Sequence, residues 1–268
     1  MADHAIIEFD QVGKSFGQFQ AVKNVNLSVR RGEFVALLGP SGCGKSTLLN
    51  MAAGLFRPTQ GHVRYDGAEV VSLNHKTGYM TQSDHLLPWR NVIDNIAVAY
   101  EIKGMNRKAS RKQVEPLIDL VGLSGFEGAY PSQLSGGMRK RAALARLLAY
   151  DPEALLMDEP FAALDAQLRL TMQIELLRIC RQFDKTVLFV THDLDEAVAL
   201  ADRVALFGPS PGTIVRTIDS PLERDRDLLR LRSNPAFNAA TAELWELMTP
   251  NLFPDSERRA VDSSKRES

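Results

Sequence analysis

The stretch Gly39-Pro40-Ser41-Gly42-Cys43-Gly44-Lys45-Ser46-Thr47 follows the spacing G-x-x-x-x-G-K-[ST] in full. That pattern is suited to holding phosphate. Its glycines let backbone N–H groups converge on phosphate oxygens without interference from a Cβ. A helix opening near Lys45 would add its partial positive charge where the anion sits. In such a loop Lys45 bridges the β- and γ-phosphates of a nucleoside triphosphate, and the Ser46 hydroxyl ligates Mg²⁺. A plain Gly-rich turn would need neither the lysine nor the hydroxyl. Cys43 fills the loop and is given no redox role.

Two further sets of residues end apolar runs in the same way. Ala154–Met157 leads into Asp158, Glu159 and Pro160. An acid at the carboxyl end of a central strand points into the crevice where open α/β sheets bind ligands. Asp158 suits Mg²⁺ held through water, because that ion keeps much of its hydration shell. Glu159 is then placed to act as general base on the attacking water. Val187–Thr191 leads into His192, which in that place can hydrogen-bond the γ-phosphate and orient the water. Adjacent acids or a lone histidine are more often structural, but three such ends together point to hydrolysis of a phosphoanhydride.

The elements that must position these residues can be read from periodicity. Phe34–Leu38 is short, apolar and bounded by Gly32 and Gly39, the mark of a strand buried on both faces. Weakly alternating residues 5–35 and 61–80 predict further strands. A helix is expected over 45–53, and helical periodicity takes over from 86 to 150. Strand and helix then alternate through 154–157, 167–183, 187–190, 194–201 and 204–207, which implies a doubly wound core. Residues 222–248 read as helical, and the charged, Ser-rich end from Asp255 to Ser268 as a frayed tail.

Bulk properties narrow the setting. The 268 residues are enough for one large α/β domain with an insertion. A formal net charge of −1 gives no reason to expect a nucleic-acid partner. No run approaches the ~18 apolar residues of a membrane span, and the first residues carry no secretory pattern. Cys43 and Cys180 form no metal-binding or disulfide pattern. Any membrane attachment is therefore expected through a partner.

Leu134-Ser135-Gly136-Gly137-Met138 decides the class. It resembles the LSGGQ signature of ABC ATPases, and residues 6–210 resemble the ATP-binding subunit of an ABC transporter. The resemblance implies a P-loop NTPase (RecA-like) core with an antiparallel β subdomain and an inserted helical signature subdomain. It places the ATPase domain at 1–222, the insertion at about 86–150, and a C-terminal helical extension with its tail at 223–268. By the same resemblance Phe16 stacks on adenine, Gln82 touches Mg²⁺ and the attacking water, Ala163-Leu164-Asp165 is the D-loop, and His192 is the switch histidine. Ser135, Gly136 and Gly137 would face the γ-phosphate bound to the opposite subunit, so two ATP molecules lie sandwiched in a head-to-tail dimer.

Several positions depart from the family's commonest pattern. Met138 and Lys140 stand where Gln is frequent, Ala163 where the D-loop often has Ser, and Phe16 where Tyr is frequent. None removes a catalytic group. Leu86-Leu87-Pro88-Trp89-Arg90-Asn91-Val92 is similar to the nitrate, sulfonate and taurine importer subfamily. That resemblance implies two transmembrane permease subunits, an extracytoplasmic binding protein, and a peripheral place on the cytoplasmic face of the cell (inner) membrane. The apolar 86–89 cluster is expected at the surface, lining a groove for a short permease helix. The alternatives are a soluble ABC ATPase of DNA repair or translation, a GTPase or small-molecule kinase, and an inactive regulatory subunit. Repair proteins generally carry long coiled coils and translation proteins two cassettes. No N-K-x-D motif is present, and Lys45, Asp158, Glu159 and His192 are all intact.

Overall fold

A computed structural model describes residues 5–162 and 164–252, the last three by backbone alone. Ala163 and the Asp255–Ser268 tail lie outside the described residues, as do the first four positions. Two sheets and three groups of helices make up the rest.

The smaller sheet is antiparallel, in the order β2-β1-β4-β5, from β1 (Ala5–Phe16), β2 (Phe19–Arg30), β4 (Gln60–Tyr65) and β5 (Ala68–Glu69). The larger has six strands in the order β10-β9-β3-β8-β7-β6. These are β3 (Phe34–Leu38), β6 (Thr77–Met80), β7 (Ala154–Asp158), β8 (Thr186–Thr191), β9 (Arg203–Phe207) and β10 (Ile214–Asp219). All run parallel except β10, which closes the edge antiparallel to β9. That edge strand has no counterpart in the sequence reading, because it is largely exposed and has no apolar run.

The period of two divides the central strands between two cores. Phe34, Ala36 and Leu38 of β3, with Val187 and Phe189 of β8, face a helical layer. Val35 and Leu37, with Leu188 and Val190, face the antiparallel sheet across α1 (Lys45–Ala52). Helix α1 buries Leu48, Leu49 and Met51 in that second core. Each fully buried Leu, Phe or Met removes enough apolar surface to stabilise by about 1.5–3 kcal/mol. A helix with sheets on two sides cannot slide, and α1 begins at the phosphate-binding loop.

Helices α2 (Val92–Ile102), α3 (Arg107–Leu120) and α4 (Gly136–Tyr150) form the inserted layer. Asn91, Asn106 and Ser135 cap them, each side chain accepting from a backbone N–H in the first turn. Asp94 of α2 is buried and accepts paired hydrogen bonds from Arg111 (2.7 Å each) and further bonds from Arg107, both on α3. Helices α5 (Ala166–Gln182) and α6 (Leu194–Leu200) complete the core layer. The expectation of continuous helix over 222–248 needs correcting. Residues 222–227 are irregular, Leu228–Ser233 is a short 3₁₀ turn, and α7 (Pro235–Leu252) packs against α6.

Candidate functional site

The loop from β3 to α1 is shaped by its glycines and by one lysine. Gly44 caps α1 at φ 101°, a left-handed conformation costly for any residue with a Cβ. A Cβ there would meet the Ala21 carbonyl oxygen at 2.7 Å and Val22 Cγ2 at 2.8 Å, so the loop lies directly on β2. Lys45 is buried, and its Nζ donates to the carbonyls of Gly39 (2.8 Å) and Pro40 (2.7 Å). The ammonium is thereby held within the curve of the loop.

The carboxyl ends of β7 and β8 meet beside this loop. Asp158 is buried and hydrogen-bonded to the Ser46 hydroxyl. Burial pushes its carboxyl above the usual carboxylate range, and the Ser46 hydrogen bond works against that. Next to it Glu159 adopts φ 47°, a region that residues other than glycine rarely occupy. Its amide donates to the Val190 carbonyl of β8 (3.0 Å), which fixes the unusual turn. The Glu159 carboxylate lies 3.2 Å from His192 Nδ1. Its backbone thus turns the acid toward the histidine just past the end of the neighbouring strand.

One cavity of about 290 Å³ joins these parts. Ser41, Gly42, Gly44, Lys45, Ser46, Thr47, Gln82, Asp158 and Glu159 all line it. Phe16 stands at its rim, edge-on to Phe56 at 5.6 Å, with the Lys14 ammonium 5.1 Å from its ring. Sequence reasoning missed Phe19, which also lines the cavity. Phe16 and Phe19 are cross-strand partners closing the β1–β2 hairpin. Its trace in the sequence is Phe16-Gly17-Gln18-Phe19, two aromatics around a two-residue turn, but only the hairpin register sets the second ring beside the first.

Ser135, Gly136, Gly137 and Asp165 do not line this cavity. Ser135 caps α4 by accepting from the Met138 amide (3.2 Å), and Asp165 caps α5 by accepting from Leu168 (3.0 Å). Gly136 lines a separate groove together with Gln82, Arg139 and Lys140. The signature and the phosphate loop of one chain therefore serve different cavities.

A further groove, of about 350 Å³, opens between β6, α2 and α4. Leu55, Leu73, Tyr79, Val98, Ile102 and Leu147 supply much of its lining. The expectation that Leu86, Leu87, Pro88 and Trp89 line such a groove is corrected here. None of the four lines it, and Leu86 is buried in the core at 8% exposure. The buried Asn95 side chain donates to the carbonyls of Leu87, Arg90 and Asn91, holding a tight turn that leaves Trp89 71% exposed. Among the described residues no helix is long and apolar enough to cross a membrane.

Comparison with known proteins gives a consistent pattern. The sequence model of the family described as ABC transporter matches residues 22–162. An uncharacterized ABC transporter ATP-binding protein of Methanocaldococcus jannaschii is 50% identical over 208 residues, 78% of each chain. The nitrate import ATP-binding protein NrtD of Synechococcus elongatus is 41% identical over 258 residues, 94% of each chain. Among solved structures, a dimeric post-hydrolysis state of an ATP-binding cassette bound to ADP and Pi matches with a TM-score of 0.74 at 31% identity. That match covers 81% of this chain and the whole of the other.

Proposed function

The chain belongs to the ABC transporter family and is an ATPase of that family, and from this premise we propose that it energises the import of a small solute of the nitrate, sulfonate or taurine kind. The observation that carries the catalytic part is the meeting of the β7 and β8 ends with the phosphate loop in a single cavity. The transport part rests on similarity to NrtD along nearly the full length of both chains. The alternative of a repair or translation ATPase has no comparable support.

Each residue has a part in this reading. Phe16, with Phe19 beside it, offers its ring to the adenine. Gly39, Pro40, Ser41, Gly42, Cys43, Gly44 and Thr47 shape the cradle for the phosphates, and Lys45 turns its ammonium to the β- and γ-phosphates. Glu159 takes the proton of the attacking water, and His192, 3.2 Å away, orients the carboxylate and the water. Gln82 lines the edge of the cavity, where it completes the water's hydrogen bonding.

The Ser46 hydroxyl and the Asp158 carboxylate, already hydrogen-bonded to each other, are hard oxygen donors suited to Mg²⁺. Among the described residues no cluster of three or more His, Cys, Asp or Glu could hold a metal. This fits an ion that takes most of its ligands from substrate phosphates and water. Bound there, Mg²⁺ would offset the negative charge of the β- and γ-phosphates. Ser135, Gly136, Gly137 and Asp165 act on the nucleotide of a second ATPase subunit, in a head-to-tail dimer.

The groove between β6, α2 and α4 receives a cytoplasmic helix from one of the two permease subunits, and the second ATPase subunit holds the other's, which keeps the ATPase at the inner face of the membrane. An extracytoplasmic binding protein delivers the solute. Ile102 is 71% exposed and lines the groove, the kind of apolar anchor that interfaces use. Ile102→Glu is expected to abolish co-purification with the permease and transport, while ATPase activity of the isolated chain persists. Normal co-purification of this variant would place the docking surface elsewhere.

A further inference from the structure

The segment 81–85, between β6 and α2, is gripped from one helix. Three cations of α4 reach it. Lys140 Nζ donates to the carbonyls of Thr81 (3.3 Å) and Gln82. Arg139 Nε donates to the Asp84 carboxylate (3.0 Å). Arg146 donates to the carbonyls of Asp84 and His85 (2.9 Å each). Of the three, only Lys140 is buried, and only Lys140 touches the backbone of Gln82. No carboxylate among the described residues lies within ion-pair reach of it. Its charge is satisfied by backbone carbonyls, an arrangement that water would contest if the side chain were exposed.

Gln82 also occupies a particular place. It lines the phosphate-loop cavity and the groove formed by Gly136, Arg139 and Lys140, and no other residue lines both. A displacement of α4 would therefore carry the Gln82 backbone with it. Where Gln is frequent in the family, this chain has a charged donor able to hold two carbonyls at once.

We propose that Lys140 is a positioning residue for hydrolysis: it ties the backbone of Gln82 to the helix opened by Ser135, so that Gln82 reaches the cavity in step with the signature. This inference rests on the part given to Gln82 above.

Steady-state ATPase assays on the full chain decide the matter, with circular dichroism as the folding control. Lys140→Met is expected to lower kcat by roughly 10- to 100-fold, the scale on which small misplacements act. KM for ATP should change little, because the cradle and Phe16 are untouched. The double variant with Gln82→Ala should be no slower than Gln82→Ala alone, as expected for two residues acting as one unit. Lys140→Arg, which keeps a charged donor for the two carbonyls, should restore kcat. A normal kcat in Lys140→Met beside a slow Gln82→Ala overturns the proposal while leaving Gln82 in place. Additive losses, or a Lys140→Arg variant as slow as Lys140→Met, overturn it as well. A normal kcat in Gln82→Ala removes the part given to Gln82, and this inference with it.

Discussion

Phe16 and Phe19 show what single residues contribute to the site and how readable they are. Stacking an aromatic on a base is worth about 1–3 kcal/mol and accepts any π-face. Phe16→Ala is therefore expected to weaken ATP binding by that amount, with GTP weakened in parallel, as isothermal titration can measure. Phe19→Ala tests the second ring, and equal affinity in both variants would place the adenine platform elsewhere. The phosphate loop and the acids could be read directly, because each is a short run of neighbouring residues whose types and spacing stand in the sequence itself. Phe19 was hidden because its place depends on the hairpin register, Phe16 opposite Phe19. The left-handed backbone of Glu159 was equally hidden. It comes from a hydrogen bond between two strands, which no local pattern of residues can announce.

At the scale of elements, the helical insertion depends on the Asp94 clamp between α2 and α3. Hydrogen bonds from Arg111 and Arg107 overcome the cost of burial and hold the Asp94 carboxyl down at about 2. A carboxyl with a depressed pKa stabilises the fold above its unfolded value near 4, and that contribution disappears as pH falls toward 2. Asp94→Asn is expected to cost about 1–3 kcal/mol near neutral pH, since it strips charge-assisted bonds from a buried group. Denaturation curves should show this deficit narrowing between pH 5 and pH 3. A constant deficit across that range would assign it to shape rather than charge. The buried strands β3, β7 and β8 were legible as apolar runs because both faces meet a core. Leu86 was misread for the opposite reason. It adjoins the exposed Trp89, and only the Asn95-held turn separates their fates.

For the whole molecule, Gly136 of the signature and the phosphate loop line separate cavities of one chain, the arrangement that the proposed head-to-tail dimer requires. Glu159→Gln should keep the cavity's shape while losing the base, which typically contributes ~10²–10⁴ in rate. In the presence of ATP this variant is expected to elute as a dimer by size exclusion, whereas the wild type should return to monomer as ATP is consumed. Hydrolysis at the wild-type rate would remove Glu159 from the role of base. The order of the large sheet has another consequence, felt while the chain is being made. Its centre, β3, is synthesised early, yet its two neighbours are β8 and β9, which end at Thr191 and Phe207. At ~5–20 residues per second, β3 leaves the ribosome roughly ten to thirty seconds before either partner. For that interval Phe34, Val35, Leu37 and Leu38 have no sheet to join. A nascent chain halted near residue 180 should therefore bind chaperones and be cut readily by protease, and one extended past β9 should resist.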